Sequence, residues 1–113
     1  MSVTIYHNPK CSKSRQTLAL LQEQGIEPRI VEYLDTPPTA AELDAIVNML
    51  GIEPQALLRK KEAKEADLEP EGMTRKQLIA AMVKNPRVIE RPIVVNGKRA
   101  ALGRPPESVL EIL

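Results

Sequence analysis

Cys11 is the single cysteine among 113 residues, and Ser14 follows it three positions on, giving Cys-x-x-Ser. It stands where one predicted element ends and a helix begins. The first-turn N–H groups there have no intrahelical acceptor and carry the positive end of the helix dipole. A thiolate at this place is stabilised and its pKa falls below the free value of about 8.5. Lys10, Lys13 and Arg15 add local positive charge. The competing reading is a small buried hydrophobe, a common fate of intracellular cysteine. A loop-to-helix junction after Asn8-Pro9 is not a core position, which favours a reactive thiol. Ser14 can donate a hydrogen bond to the thiolate but cannot resolve a mixed disulfide.

His7 is the second candidate. As an imidazolium within about 4–6 Å it would favour the thiolate; as a strand-end residue it would serve only to hydrogen-bond the backbone, and spacing leaves both roles open. Three arginines come next. Arg59 follows the apolar Ala56-Leu57-Leu58, Arg91 precedes Pro92, and Arg104 sits between a hairpin and the last predicted helix. A lone surface arginine is ordinarily a solvated charge. Guanidinium forks beside a thiolate-bearing helix terminus, however, would suit a tetrahedral oxyanion bound bidentately. With no second sulfur nucleophile in the chain, redox chemistry at Cys11 needs a reducing thiol from another molecule. Glutathione, backed by glutaredoxin, is the obvious supply.

The elements that must position these groups follow from the pattern. Val3-Thr4-Ile5-Tyr6 alternates as a strand, a helix is predicted from about Ser12 to Gln24 with Gly25 as terminator, and Arg29–Tyr33 reads as a second strand. Together they make a βαβ unit with a right-handed crossover. Thr39-Ala40-Ala41-Glu42 is a capping box before the stripe Leu43, Ile46, Val47, Leu50, and Gly51 stops that helix. A short helical piece at 54–58 leads into a charged run over 59–71, expected as a solvated loop or exposed helix. Thr74-Arg75-Lys76-Gln77 is a second capping box, ahead of Leu78, Ile79, Met82 and Val83. Pro92-Ile93-Val94-Val95, Asn96-Gly97 and Lys98–Leu102 predict a hairpin on a type I′ turn. A last helix follows Pro105-Pro106 and carries Val109, Leu110, Ile112 and Leu113. The order βαβ, helices, ββα predicts an α/β, thioredoxin-like fold: a mixed four-stranded sheet with a helical insertion, in a single domain over 1–113.

Composition narrows the function. With 42% hydrophobic residues the chain can build one core, yet Tyr6 and Tyr33 are its only aromatics and its formal charge is +1. It offers no stacking platform for single strands and no general phosphate-binding face, so nucleic acid is not an expected partner. One cysteine and one histidine exclude an internal disulfide and make a metal site unexpected. No stretch nears the roughly 18 apolar residues of a membrane span, and Lys10 interrupts any signal-peptide core. The expectation is a soluble, cytoplasmic monomer with no bound cofactor and no membrane contact.

The segments Tyr-His-Asn-Pro-Lys-Cys-Ser-Lys-Ser-Arg, Ala-Leu-Leu-Arg-Lys, Glu-Arg-Pro-Ile-Val-Val, and Gly-Arg-Pro-Pro-Glu with Val-Leu-Glu-Ile-Leu occur in that order. Taken together they resemble the glutaredoxin-dependent arsenate reductases of the ArsC family, in particular its short YfgD/YffB-like members. The resemblance implies Cys11 as nucleophile, His7 as the group lowering its pKa, and Arg59, Arg91 and Arg104 as oxyanion ligands. Ser14, Asn8 and Arg15 fall in the catalytic segment, and Pro92 matches a cis proline. It further implies arsenate as substrate, glutathione as co-substrate and glutaredoxin as partner. Longer members continue past the shared Val-Leu-Glu-Ile-Leu, a tail that bears on substrate closure and glutaredoxin docking. Two other functions share parts of this pattern. A glutathione-dependent thiol oxidoreductase or glutathione-binding protein would need Cys11 and His7 but has little use for three arginines. An Spx-like RNA polymerase-binding regulator would carry Cys-x-x-Cys, which Ser14 interrupts.

Overall fold

Alternating side chains in β1 (Val3–His7) send Ile5 and His7 inward. The computed structural model, which describes residues 2–113, continues with α1 (Ser12–Glu23), β2 (Arg29–Glu32), α2 (Ala40–Leu50), α3 (Lys60–Glu65), α4 (Arg75–Lys84), β3 (Ile93–Asn96) and β4 (Arg99–Leu102). The chain divides into two compact units. One holds the chain up to Thr36 together with Arg91–Leu113; the other, Pro37–Glu90, is the helical insertion.

In the first unit the sheet order is β2-β1-β3-β4, with β1 parallel to β2 and the other pairs antiparallel. This is the mixed, thioredoxin-like sheet the element order predicts. The register sets His7 opposite Glu32 and Ile5 opposite Val94. Ile5, Leu21, Val94, Val109 and Ile112 form the core, with Leu18, Leu20 and Ile26 packed around it. Each such side chain, fully buried, contributes roughly 1.5–3 kcal/mol. Gly25, at φ +78°, closes α1: its N–H reaches the Gln22 carbonyl and that of Ile26 the Leu21 carbonyl, a Schellman ending.

Two local predictions need correcting here. Asn96 pairs with Arg99, so the two-residue loop is Gly97-Lys98, and only Gly97 has positive φ. That is the pattern of a type II′ turn, not type I′. Asn96 stays in the strand because its buried side chain is held there, Nδ2 donating to the Ile112 carbonyl at 2.6 Å. The last element, Pro106–Ile112, is a 3-10 helix, and its buried residues Pro106, Val109 and Ile112 recur every third position, matching three residues per turn.

In the second unit both capping boxes form. Thr39 accepts from the Glu42 N–H while Glu42 accepts from the Thr39 N–H, and Thr74 and Gln77 do the same. α4 packs against α2 and against the 3-10 turns Pro54–Leu57 and Pro86–Val88. Arg75 joins the two helices through Asp44 Oδ1 and Asn48 Oδ1, each at 2.9 Å. A bridge between Leu58 and Ile89 closes the unit, with Arg59 N–H donating to the Val88 carbonyl and Glu90 N–H to the Leu57 carbonyl. The charged run yields α3, whose one buried residue is Ala63. Among the described residues, no helix is long and apolar enough to cross a membrane.

Candidate active site

β1 ends at His7, and Asn8-Pro9-Lys10 carries the chain to Cys11, the N-cap of α1, in extended conformation. Three side chains staple this loop. Asn8 Oδ1 accepts from the Lys10 N–H at 3.0 Å, Ser14 Oγ accepts from the Asn8 N–H at 3.0 Å, and Arg15 Nη1 donates to the Pro9 carbonyl at 2.9 Å. The Cys11 N–H donates to the Asn8 carbonyl, and the Cys11 carbonyl accepts the first helical bond, from Arg15. The Cys11 main chain is therefore hydrogen-bonded on both sides.

Cys11 is 8% exposed, so the junction is more enclosed than its place in the sequence suggests. Burial pushes the thiol pKa up. The Ser14 N–H, the Arg91 charge, the Lys13 N–H and the Arg104 charge outweigh burial, and the thiol titrates below its ordinary value. Arg104 Nη2 donates to Cys11 Sγ at 3.8 Å while its Nε donates to the Arg91 carbonyl at 2.6 Å. The guanidinium is thus pinned by one arginine's backbone and turned toward the sulfur. The Arg91–Pro92 and Arg104–Pro105 peptide bonds are both cis; nothing in the sequence points to the second.

Two expected roles change. His7 Nδ1 lies 2.6 Å from Ser14 Oγ, in a buried pair. Burial lowers the His7 pKa, Glu32 opposes this and Arg15 adds to it, with a net fall below 6.5, so the ring is neutral at pH 7. The groups that hold the Cys11 thiol pKa down are the Ser14 and Lys13 N–H groups and the Arg91 and Arg104 charges, and His7 is not among them. Ser14 also acts differently from expectation: its hydroxyl pairs with the His7 ring and the Asn8 N–H, and its backbone N–H is what favours the thiolate. Glu32, unnoticed in the sequence, reaches this network through the β1–β2 register; strand pairing was the signal that could have found it.

Cys11, His7, Asn8, Ser14, Arg15, Arg91, Pro92 and Arg104 all belong to the first unit. Arg59 belongs to the second. There it is the N-cap of α3, its guanidinium paired with Glu62 at 2.8 Å and donating to the Arg87 carbonyl at 3.1 Å.

A sulfur with a lowered pKa and a guanidinium within hydrogen-bonding reach can attack an electrophilic centre bearing anionic oxygens. Known proteins resemble this chain over nearly all of its length. The Escherichia coli (strain K12) protein YfgD is 52% identical over 98% of this chain and 96% of its own length. The arsenate reductase of Haemophilus influenzae is 47% identical over the full length of both. The solved arsenate reductase from Vibrio cholerae superposes with a TM-score of 0.94 at 52% identity, over 100% of this chain and 98% of that one. A model of the ArsC family matches residues 6–112, and the chain belongs to that family.

Proposed function

We propose that this chain is a glutathione- and glutaredoxin-dependent arsenate reductase, an oxidoreductase that converts arsenate to arsenite through a Cys11 thiolate adduct. The relatives named as arsenate reductases support the substrate. One observation carries the chemistry: the Arg104 guanidinium, pinned by the Arg91 carbonyl, lies 3.8 Å from Cys11 Sγ.

The Cys11 thiolate attacks arsenic(V); an S–As bond forms and one arsenate oxygen leaves, protonated, as water. Arg91 and Arg104 stabilise the charged oxygens that remain. For Arg59 the resemblance is the whole warrant. A glutathione thiolate then attacks the Cys11 sulfur, the S–As bond breaks, and its electron pair stays on arsenic, which departs as arsenite. Cys11 is left in a mixed disulfide with glutathione. A glutaredoxin thiolate attacks the glutathione sulfur and frees the Cys11 thiolate. No bound cofactor or metal enters this sequence, and one copy of the chain in a reducing cytoplasm suffices.

The test is an NADPH-coupled assay containing glutathione, glutathione reductase, glutaredoxin and arsenate. Wild-type protein is expected to oxidise NADPH in an arsenate-dependent manner and to release arsenite, and Cys11→Ser to do neither. Absence of arsenite from the wild type would overturn the proposal in favour of a thiol oxidoreductase without arsenate activity.

A further inference from the structure

Gly103 is buried between β4 and the Arg104–Pro105 turn, and its φ is not positive. It is therefore not glycine for conformational freedom. A Cβ at this position would collide with Thr17 Oγ1 and stand 2.7 Å from Pro92 Cγ and 3.1 Å from Thr17 Cγ2. Neither neighbour can yield by a small rotation. Thr17 is fully buried and β-branched, with Oγ1 donating to the Lys13 carbonyl at 2.8 Å, and Pro92 is a closed ring. The Gly103 N–H also donates to the Pro92 carbonyl at 2.9 Å.

The three pieces that meet at this bare backbone each carry one part of the candidate site. Thr17 belongs to the helix capped by Cys11, Pro92 directly follows Arg91, and Gly103 directly precedes Arg104. We propose that Gly103 is a positioning residue: its missing side chain lets α1, the Arg91–Pro92 turn and the Arg104 turn close to the spacing at which both arginines act on the Cys11 sulfur. It touches neither the sulfur nor a substrate and acts through Arg91 and Arg104. The inference deepens the proposed active site, and its readout does not depend on arsenate.

The experiment follows the rate of Cys11 alkylation by iodoacetamide against pH, in the absence of arsenate, with folding checked by circular dichroism and thermal melting. Folded Gly103→Ala is expected to label severalfold more slowly at pH values below the wild-type midpoint. The double variant Arg91→Ala/Arg104→Ala should slow by a similar factor, and adding Gly103→Ala to it should slow labelling no further, because residues acting through one another are not additive. A folded Gly103→Ala with the wild-type profile, or one whose effect persists in full without the arginines, overturns the inference. If Gly103→Ala does not fold, Thr17→Ala/Gly103→Ala removes the Thr17 collisions and keeps the one with Pro92. Slowed labelling in that folded protein supports the inference, and a wild-type profile overturns it. Loss of the fold in both variants also overturns it, leaving Gly103 a packing residue only.

Discussion

All four α-helices among the described residues begin at an extended N-cap residue; α3, at Arg59, has no side-chain cap and carries no sulfur, while α1, α2 and α4 are finished in two different ways. α2 and α4 start at Thr39 and Thr74, whose hydroxyls accept the N–H three residues on while Glu42 and Gln77 return the bond. α1 starts at Cys11 and has no side-chain cap. The difference separates stability from chemistry. A filled cap satisfies the orphan N–H groups and is worth about 1 kcal/mol. At α1 those groups are left to act on a sulfur, joined by the Arg91 and Arg104 charges, and the result is a lowered thiol pKa.

The largest effect expected from breaking this contrast is on turnover. Arg104→Ala should lower arsenate reduction by about 10²–10³-fold in the coupled assay, the usual cost of removing one preorganised donor to a developing oxyanion. Because the Ser14 and Lys13 N–H groups remain, its Cys11 alkylation should stay within a few fold of wild type. Normal arsenate turnover in the variant would mean that the guanidinium serves only the sulfur.

A smaller effect concerns stability, with opposite signs at the two kinds of helix start. Thr39→Ala should cost about 1 kcal/mol and lower the melting temperature by several degrees, leaving the alkylation profile of Cys11 unchanged. Cys11→Ser, which supplies the hydroxyl that α1 lacks, should melt slightly higher than wild type although it is inactive. A Cys11→Ser protein less stable than wild type would show that burial of the sulfur outweighs the missing cap.

The smallest effect is the pH dependence of folding. His7 binds its proton less readily when folded, so between its lowered pKa and about 6.5 the unfolded chain holds more protons and stability rises with pH. The Cys11 thiol also loses its proton more readily when folded. Its contribution is present above the ordinary thiol range and is lost as pH falls through the lowered value. Melting temperature should therefore climb with pH in both windows. His7→Gln should flatten the lower one and Cys11→Ser the upper. A melting temperature that falls with rising pH in either window would contradict the assigned direction.

Much of this was legible from residue order because the site is largely local. His7, Asn8, Cys11, Ser14 and Arg15 lie within one strand-to-helix passage, where capping and proline rules apply directly. Arg91 and Arg104 were legible through the hairpin, which returns them toward that passage. Other features depend on what packs where. The three-residue spacing of Ser14 suggests a bond from its hydroxyl to the sulfur, but the hydroxyl pairs with the His7 ring at the end of β1. The charge on His7 depends on burial and on Glu32 across the sheet, which no local pattern contains. The Asn96-Gly97 pair signalled the hairpin correctly, yet the Ile112 carbonyl held Asn96 in its strand and moved the turn by one residue. Gly103 carries no local signal of its role, which depends on Thr17 and Pro92 packed on either side of it.

The Ser14 N–H that stabilises the Cys11 thiolate also makes the site observable without a label. An amide proton aimed at sulfur is shielded differently by a thiol and by its anion. In an ¹H–¹⁵N spectrum the Ser14 resonance would therefore shift with pH at the sulfur's own midpoint, and again when the sulfur is tied into a mixed disulfide, so that each protonation and redox state of Cys11 could be followed from a neighbouring backbone signal.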